Sequence, residues 1–225
     1  MKVHGVPHWR NRATLTLGCL LTIASNAGGQ RPGFSLEQVL GAPFPENLVA
    51  APSGRAVAWV HLTKGVRNVW VAEAPGWRGR QLTSYTQDDG QEIGELALTP
   101  DGRTLFYVRG GPPNRRGEIP NPTSDPAGAE QAVWRVPVAG GPPTRIGQGT
   151  SPLASPRGDL LLFRRRGQLM ALSLTASEEA KPLIQVSGGP SDLSFSPDGG
   201  KLAFSSTRGD HAFIAVYDIL AKQIR

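Results

Sequence analysis

The sequence predicts an all-β fold, a β-propeller of four-stranded antiparallel blades with about four blades present. Two observations predict it. One phrase recurs four times, a small or apolar residue followed by Pro, any residue and Gly: Ala51-Pro52-Ser53-Gly54, Thr99-Pro100-Asp101-Gly102, Ser155-Pro156-Arg157-Gly158 and Ser196-Pro197-Asp198-Gly199. The prolines stand 48, 56 and 41 residues apart, a period of blade size with one long insertion. The second observation is that each phrase is followed by the same order of short apolar runs. A β-sandwich also carries frequent Gly and Pro turns, but at 8–12 residue spacing and without a longer period.

The phrase has a physical reason. Pro presets φ near −65°, Asp can bond its own backbone, and Gly supplies the positive φ at which the chain reverses into the next strand. A short run precedes each turn, such as Leu96-Ala97-Leu98 or Leu193-Ser194-Phe195, and is expected to be the innermost strand. After the turn come 56–60, 104–108, 160–163 and 201–204, apolar enough for strands buried on both faces. Third strands follow at 68–71, 132–136, 169–174 and 212–217, and a more polar fourth strand is exemplified by Arg80-Gln81-Leu82-Thr83. Four strands per unit is the blade count. The repeats run over about 44–90, 91–149, 150–188 and 189–225, with the partial propeller spanning 44–225. Before them, residues 28–43 hold one short helical signal, Phe34 to Leu40, with Ser35 as N-cap and Gly41 as stop.

Residues 1–27 read as a secretory signal peptide. Lys2, Arg10 and Arg12 form a basic start, Ala13 to Ala24 is uncharged, and Ser25-Asn26-Ala27 is a small-residue cleavage site. The run is short for a membrane span, which needs about 20 residues; an uncleaved anchor is the alternative, and no other membrane association is expected. Cys19 follows Leu17-Gly18 in a lipoprotein-like way, but Leu20, Leu21 and Ile23 continue the apolar segment past it. The expected location is therefore exported, periplasmic or secreted, in a mature chain without cysteine and so without disulfides.

Removing the leader lowers the formal charge from +6 to +3, which takes away the argument for nucleic acid. The runs Arg164-Arg165-Arg166 and Asn114-Arg115-Arg116 are expected to be solvated loop or blade-edge positions, not a phosphate-tracking patch with stacking aromatics. No nucleic-acid partner is expected.

The sequence nominates no catalytic, cofactor-binding or metal-ligating residue. There is no Gly-x-Ser-x-Gly elbow to expose a serine nucleophile. His61 and His211, the only histidines after the leader, lack metal-ligand spacing. Asp210-His211 is expected to point in two directions, as neighbours on a strand do, and not to form part of a triad. Arg208-Gly209-Asp210 lies where a hairpin needs a tight turn. Gly110-Gly111-Pro112-Pro113 and Gly140-Gly141-Pro142-Pro143 cannot present a row of N–H donors to a phosphate, because proline has none.

A set of segments in order carries a family resemblance. Ser196-Pro197-Asp198-Gly199, Lys201 to Ser206 and Arg208 to Asp218 look like one blade, and Gly65 to Val71, Asp88 to Ile93 and Tyr107 to Gly111 extend the match over about residues 34–225. The set resembles the N-terminal propeller of bacterial prolyl oligopeptidase family serine peptidases, among them dipeptidyl peptidase IV and acylaminoacyl peptidase relatives. TolB-like propellers share the Ser-Pro-Asp-Gly element. The peptidase resemblance implies seven or eight blades followed by an α/β-hydrolase domain with a Ser, Asp and His triad. Against that pattern the chain stops at Arg225, just after the third strand of the fourth repeat, so half the propeller and the hydrolase domain are expected to be missing. No triad residue can be carried over, and this chain is expected to be inactive alone.

The resemblance further implies a gating and docking role toward peptide substrates, with other proteins as further partners. Some family members hold the substrate amino terminus with paired glutamates on a propeller insertion. The insertion here, 110–130, contains Glu118 and Glu130 without an adjacent pair, and Glu178-Glu179 lies in a polar connection; none is assigned to substrate. Two classes stay open, a substrate-gating propeller of an exported serine peptidase and a non-enzymatic, TolB-like periplasmic protein-binding propeller. With blades missing, the first and last blades present should leave one face unburied, and the last sheet should lack a complete outer strand, whereas four blades that close by themselves would favour the stand-alone binding propeller.

Overall fold

Each Pro-x-Gly phrase folds into the same reverse turn. The glycine N–H donates back to the residue before proline, at 2.8 Å from Gly54 to Ala51, 2.9 Å from Gly102 to Thr99, 2.9 Å from Gly158 to Ser155 and 2.8 Å from Gly199 to Ser196. In three of the four, a hydroxyl before proline adds a second lock. Thr99, Ser155 and Ser196 accept the N–H of Thr104, Leu160 and Lys201 and donate to Asp101, Asp159 and Asp198. Ala51 has no hydroxyl, and its turn relies on backbone bonds alone.

The computed structural model describes residues 33–225, so the expected signal peptide, including Cys19 and the Ala27 cleavage site, lies outside the described residues. Leu36–Arg225 form one compact unit. It opens with α1 (Leu36–Leu40), closed by a 2.8 Å bond from Gly41 N–H to the Glu37 carbonyl. Four antiparallel sheets follow, each of four strands in sequence order. The first contains β1 (Phe44–Ala50), β2 (Ala56–Thr63), β3 (Val66–Glu73) and β4 (Arg80–Gln81); the second, β5 (Ile93–Leu98), β6 (Thr104–Arg109), β7 (Ala132–Pro137) and β8 (Thr144–Gln148). The third contains β9 (Thr150–Ala154), β10 (Leu160–Arg165), β11 (Gln168–Ser173) and β12 (Lys181–Ile184); the fourth, β13 (Pro190–Phe195), β14 (Lys201–Arg208), β15 (His211–Asp218) and β16 (Gln223–Ile224). Four equivalent meander sheets in one chain are propeller blades. Among the described residues no helix is long and apolar enough to cross a membrane.

Strand alternation explains how the sheets stack. On β6, Leu105 and Tyr107 pack with Val60, Val69 and Val71 of the first sheet, whereas Phe106 and Val108 pack with Leu161, Phe163 and Met170 of the third. On β10, Leu162 turns the other way, toward Leu202, Phe204 and Tyr217 of the fourth sheet. Burying such side chains contributes about 1.5–3 kcal/mol each, and it makes β6 and β10 continuous apolar runs.

The end sheets leave one face unburied, as expected of the first and last blades present, so 56–60 and 201–204 are not buried on both faces as their apolar runs alone suggest. Ala56, Ala58 and Val60 are buried against the second sheet, but Val57 and Trp59 are only half-buried; in the fourth sheet Leu202 and Phe204 are buried while Ala203 is half-buried. Each end sheet has one neighbour. Ile214 on β15 is 86% exposed for the same reason.

Two further expectations change. The fourth sheet does not end at its third strand, because Gln223–Ile224 pair with β15 and Arg225 exchanges backbone bonds with Val216. The fourth strand of the first sheet stops at Gln81, two residues early. There the Thr83 hydroxyl takes the Val69 N–H at 2.9 Å and donates to Asn68 at 2.9 Å, and the Asn68 amide clasps the Tyr85 backbone through two 2.8 Å bonds. The Leu82 N–H still donates to the Val69 carbonyl at 2.8 Å, and beyond it these side chains take over from the ladder.

Candidate functional site

The first strands of the first three sheets lie side by side, β1 against β5 and β5 against β9, which makes them the innermost strands. Each of the four first strands carries a bulge. In each bulge one non-glycine residue adopts positive φ: Asn47 at 55°, Glu95 at 49°, Ser151 at 56° and Asp192 at 51°. All four are polar and stand five residues before the turn proline. A bulge re-aims the side chain at that position, so the repeat delivers one polar group per blade to the inner edge.

Glu95 joins neighbouring blades, whereas Asp192 bonds within its own. The Glu95 carboxylate accepts the backbone N–H of Ser151. Asp192 accepts from the Ser205 hydroxyl, which lies 2.7 Å from that of Ser191. Asn47 sits beside Gly94, its side chain 3.5 Å from where a Cβ would stand.

At the end of the sheets where the β1 and β5 strands begin, a cavity of about 420 Å³ opens among Glu46, Asn47, Arg67, Glu92 and Glu95. Three carboxylates face one guanidinium there. The Glu46 and Glu92 carboxylates make no hydrogen bond or ion pair among the described residues. The connection between β6 and β7 rims this cavity through Gly110, Pro112 and Gln131.

That connection is held by its own polar groups. Glu130 forms a two-bond pair with Arg145 at 2.5 and 2.6 Å, and this partner holds its carboxyl below the ordinary value. Glu118 accepts from Asn114 at 2.7 Å, and Asn121 and Asp125 close a local turn. Arg109 pairs with Asp89 and lies 4.7 Å from the Tyr85 ring centre. The Tyr85 hydroxyl meets that of Tyr107 at 2.8 Å, and burial pushes the Tyr107 phenol far upward. Glu178 is taken by Lys181 at 2.8 Å. Of the acids singled out in the sequence, Glu118, Glu130 and Glu178 are thus paired within the fold, while Glu179 is exposed with no side-chain hydrogen bond or ion pair among the described residues.

Two local expectations are corrected. His211 and Asp210 do not point apart, since their side chains meet at 2.5 Å across the β14–β15 turn. Both are exposed, with no serine hydroxyl bonded to either, so the contact is a surface pair. Arg164 and Arg165 are half-buried strand residues of β10; only Arg166 stands in an exposed turn. His61 has both ring nitrogens buried without a partner and packs at 4.8 Å on Trp70. Among the described residues no three His, Cys, Asp or Glu side chains are grouped to hold a metal ion.

Sequence reasoning missed Glu46, Glu92 and Glu95. Aligning the repeats on their prolines finds Glu95, because Asn47, Ser151 and Asp192 fall at the same offset. Glu46 and Glu92 carry no such signal, since only the packing of the first two blades brings them to one cavity.

No family model matches the sequence, and no curated protein matches it. Solved structures do. TolB from Acinetobacter baumannii superposes with a TM-score of 0.56 at 15% identity, over 82% of this chain and 43% of that one. A prolyl endopeptidase gives 0.60 at 12% identity, over 83% and 29%. A putative dipeptidyl aminopeptidase IV from Bacteroides ovatus gives 0.59 at 10%, over 79% and 32%. The chain therefore spans less than half the length of these proteins, and at such identities the likeness is one of fold: the four sheets are blades of a β-propeller of the kind found in TolB and in prolyl oligopeptidase-type peptidases.

Proposed function

We propose that these blades form the substrate-gating and docking propeller of an exported serine peptidase of the prolyl oligopeptidase type, with the catalytic triad carried by a hydrolase domain outside these residues. The ordered segment resemblance and the shared blade fold support this reading. The observation that carries it is the cavity of Glu46, Glu92 and Glu95 at the inner strand ends. A peptide amino terminus is a cation with N–H donors, and two uncommitted carboxylates near a third provide charge-assisted acceptors for it. The rim formed by the β6–β7 connection narrows access, so that an extended peptide end enters and a folded protein does not.

In this reading the blades orient substrate and leave bond cleavage to other residues. This chain alone is then expected to leave amino-acyl and prolyl amides uncleaved, because no activated serine with an oxyanion hole is built into the blades. Export follows from the leader, with cleavage after Ala27.

The test is a fluorescence titration of the chain with a labelled tetrapeptide, with its amino terminus free or acetylated. Saturable binding of the free form, weakened about tenfold by acetylation and by Glu46→Gln or Glu92→Gln, is the expected result. Equal binding of both peptides, or no response to the two substitutions, overturns it. Binding to folded proteins with no peptide affinity would instead favour a TolB-like, non-enzymatic propeller.

A further inference from the structure

The opposite end of the blades carries the opposite charge. Between the turns of the second and third sheets runs a groove of about 680 Å³, lined by Arg103, Arg135 and Arg157 together with Asp101 and three threonines. This volume suits a small-molecule ligand. The arginines come from three separate places in the sequence: the residue just before β6, the middle of β7, and the variable position of the third Pro-x-Gly turn, where the other turns have Ser53, Asp101 and Asp198.

The local acid does not neutralise them. Asp101 accepts from the Thr99 hydroxyl at 2.6 Å and the Arg103 N–H at 3.0 Å, so its carboxylate serves the turn, and Arg103 reaches it only at 3.8 Å. Arg157 borders the groove but is directed to the fourth sheet, where its Nε donates to the Asp198 carbonyl at 2.7 Å and its side chain lies along Gly199 and Gly200, beside the Asp198 carboxylate. The Arg135 guanidinium makes no hydrogen bond or ion pair among the described residues. The remaining wall is apolar, with Pro137, Pro142 and Leu174.

We infer that this groove is a binding site for a small organic polyanion, whose oxyanion groups engage Arg103 and Arg135 while its carbon framework rests on Pro142 and Leu174. Guanidinium forks bind carboxylate and phosphate bidentately, so either group fits the shared chemistry. The threonine hydroxyls of Thr99, Thr104 and Thr144 supply shorter-range donors. The site does not depend on the peptidase reading, because it lies at the other end of the blades.

Calorimetric titration of the full chain with citrate, and separately with inorganic pyrophosphate, at fixed ionic strength tests the inference. One-to-one saturable binding is expected for at least one probe, and the tighter of the two identifies carboxylate or phosphate as the preferred group. Arg135→Gln, which breaks no contact within the protein, should weaken that binding at least tenfold, and Arg103→Gln should do likewise. Arg115→Gln, in the exposed β6–β7 connection, should leave it unchanged. Absence of saturable binding by both probes overturns the site, as does an equal loss in the Arg115 and Arg135 variants, which would mean diffuse charge attraction. A matching thermal melt for each variant confirms that the comparison is between folded proteins.

Discussion

Glu95 and Ser151 hold the same place in consecutive blades, and the carboxylate of the first accepts the backbone N–H of the second. Both adopt positive φ, at 49° and 56°, five residues ahead of their turn prolines. A bulge that opens one strand therefore supplies the bond that ties it to the next. The donor it satisfies is a backbone group released from the ladder by the bulge in β9.

Removing that acceptor should show in stability. Glu95→Ala leaves the Ser151 N–H short of a partner, at a cost of about 1–3 kcal/mol. Glu95→Gln retains a carbonyl that can accept and should lose less. Urea unfolding of the two variants beside the parent measures the difference; equal midpoints for the alanine variant and the parent would show that water replaces the carboxylate without loss.

The turn glycines offer a controlled comparison. Gly54 and Gly102 sit in equivalent turns at φ of 67° and 72°, so alanine at either should incur a similar left-handed strain of about 1–2 kcal/mol. Their surroundings differ. A Cβ at Gly54 meets nothing within 4 Å, whereas one at Gly102 stands 3.2 Å from the Ala56 Cβ and 3.3 Å from that of Ala51, both on the preceding blade. Gly102→Ala should therefore destabilise more than Gly54→Ala, and the excess reports how tightly the first two blades are packed. Equal losses would mean that the blades separate freely at this end.

The blades were legible in the sequence because turn chemistry is local. Pro52, Pro100, Pro156 and Pro197 each sit beside a glycine whose φ the turn requires, and the apolar runs after them need no tertiary context to read as strands. Faces were less legible. Val57 and Trp59 look as buried as Leu105 and Phe106, and only the number of neighbouring sheets separates them. The candidate sites were hidden for a related reason. Glu46 and Glu92 line one cavity from two blades, as Arg135 and Arg157 border one groove, and nothing within one repeat marks such a pair. The end of β4 was illegible because side chains, Asn68 and Thr83, took over bonds that a pattern of apolar residues assigns to a ladder.

The Glu130–Arg145 pair gives the β6–β7 connection a pH dependence whose sign can be stated. Arg145 holds the Glu130 carboxyl below its ordinary value of 4.5, chiefly through the hydrogen bonds between them. A carboxyl whose folded value is depressed contributes stability that is fully present above the unfolded value and is lost as the pH falls through the folded one. Glu130→Gln should accordingly be less stable than the parent at neutral pH. The gap should begin to close as the pH drops below about 4.5, because the parent then has to protonate the same group. The contact is at the surface, so added salt should narrow the gap at neutral pH as well. Hydrogen exchange of amides in 128–132, followed at neutral and acid pH in both proteins, reads the effect locally. Faster exchange in the variant at neutral pH, converging with the parent in acid, is the expected pattern; a gap that stays constant or widens as the pH falls would show that the pair does not hold this connection in place.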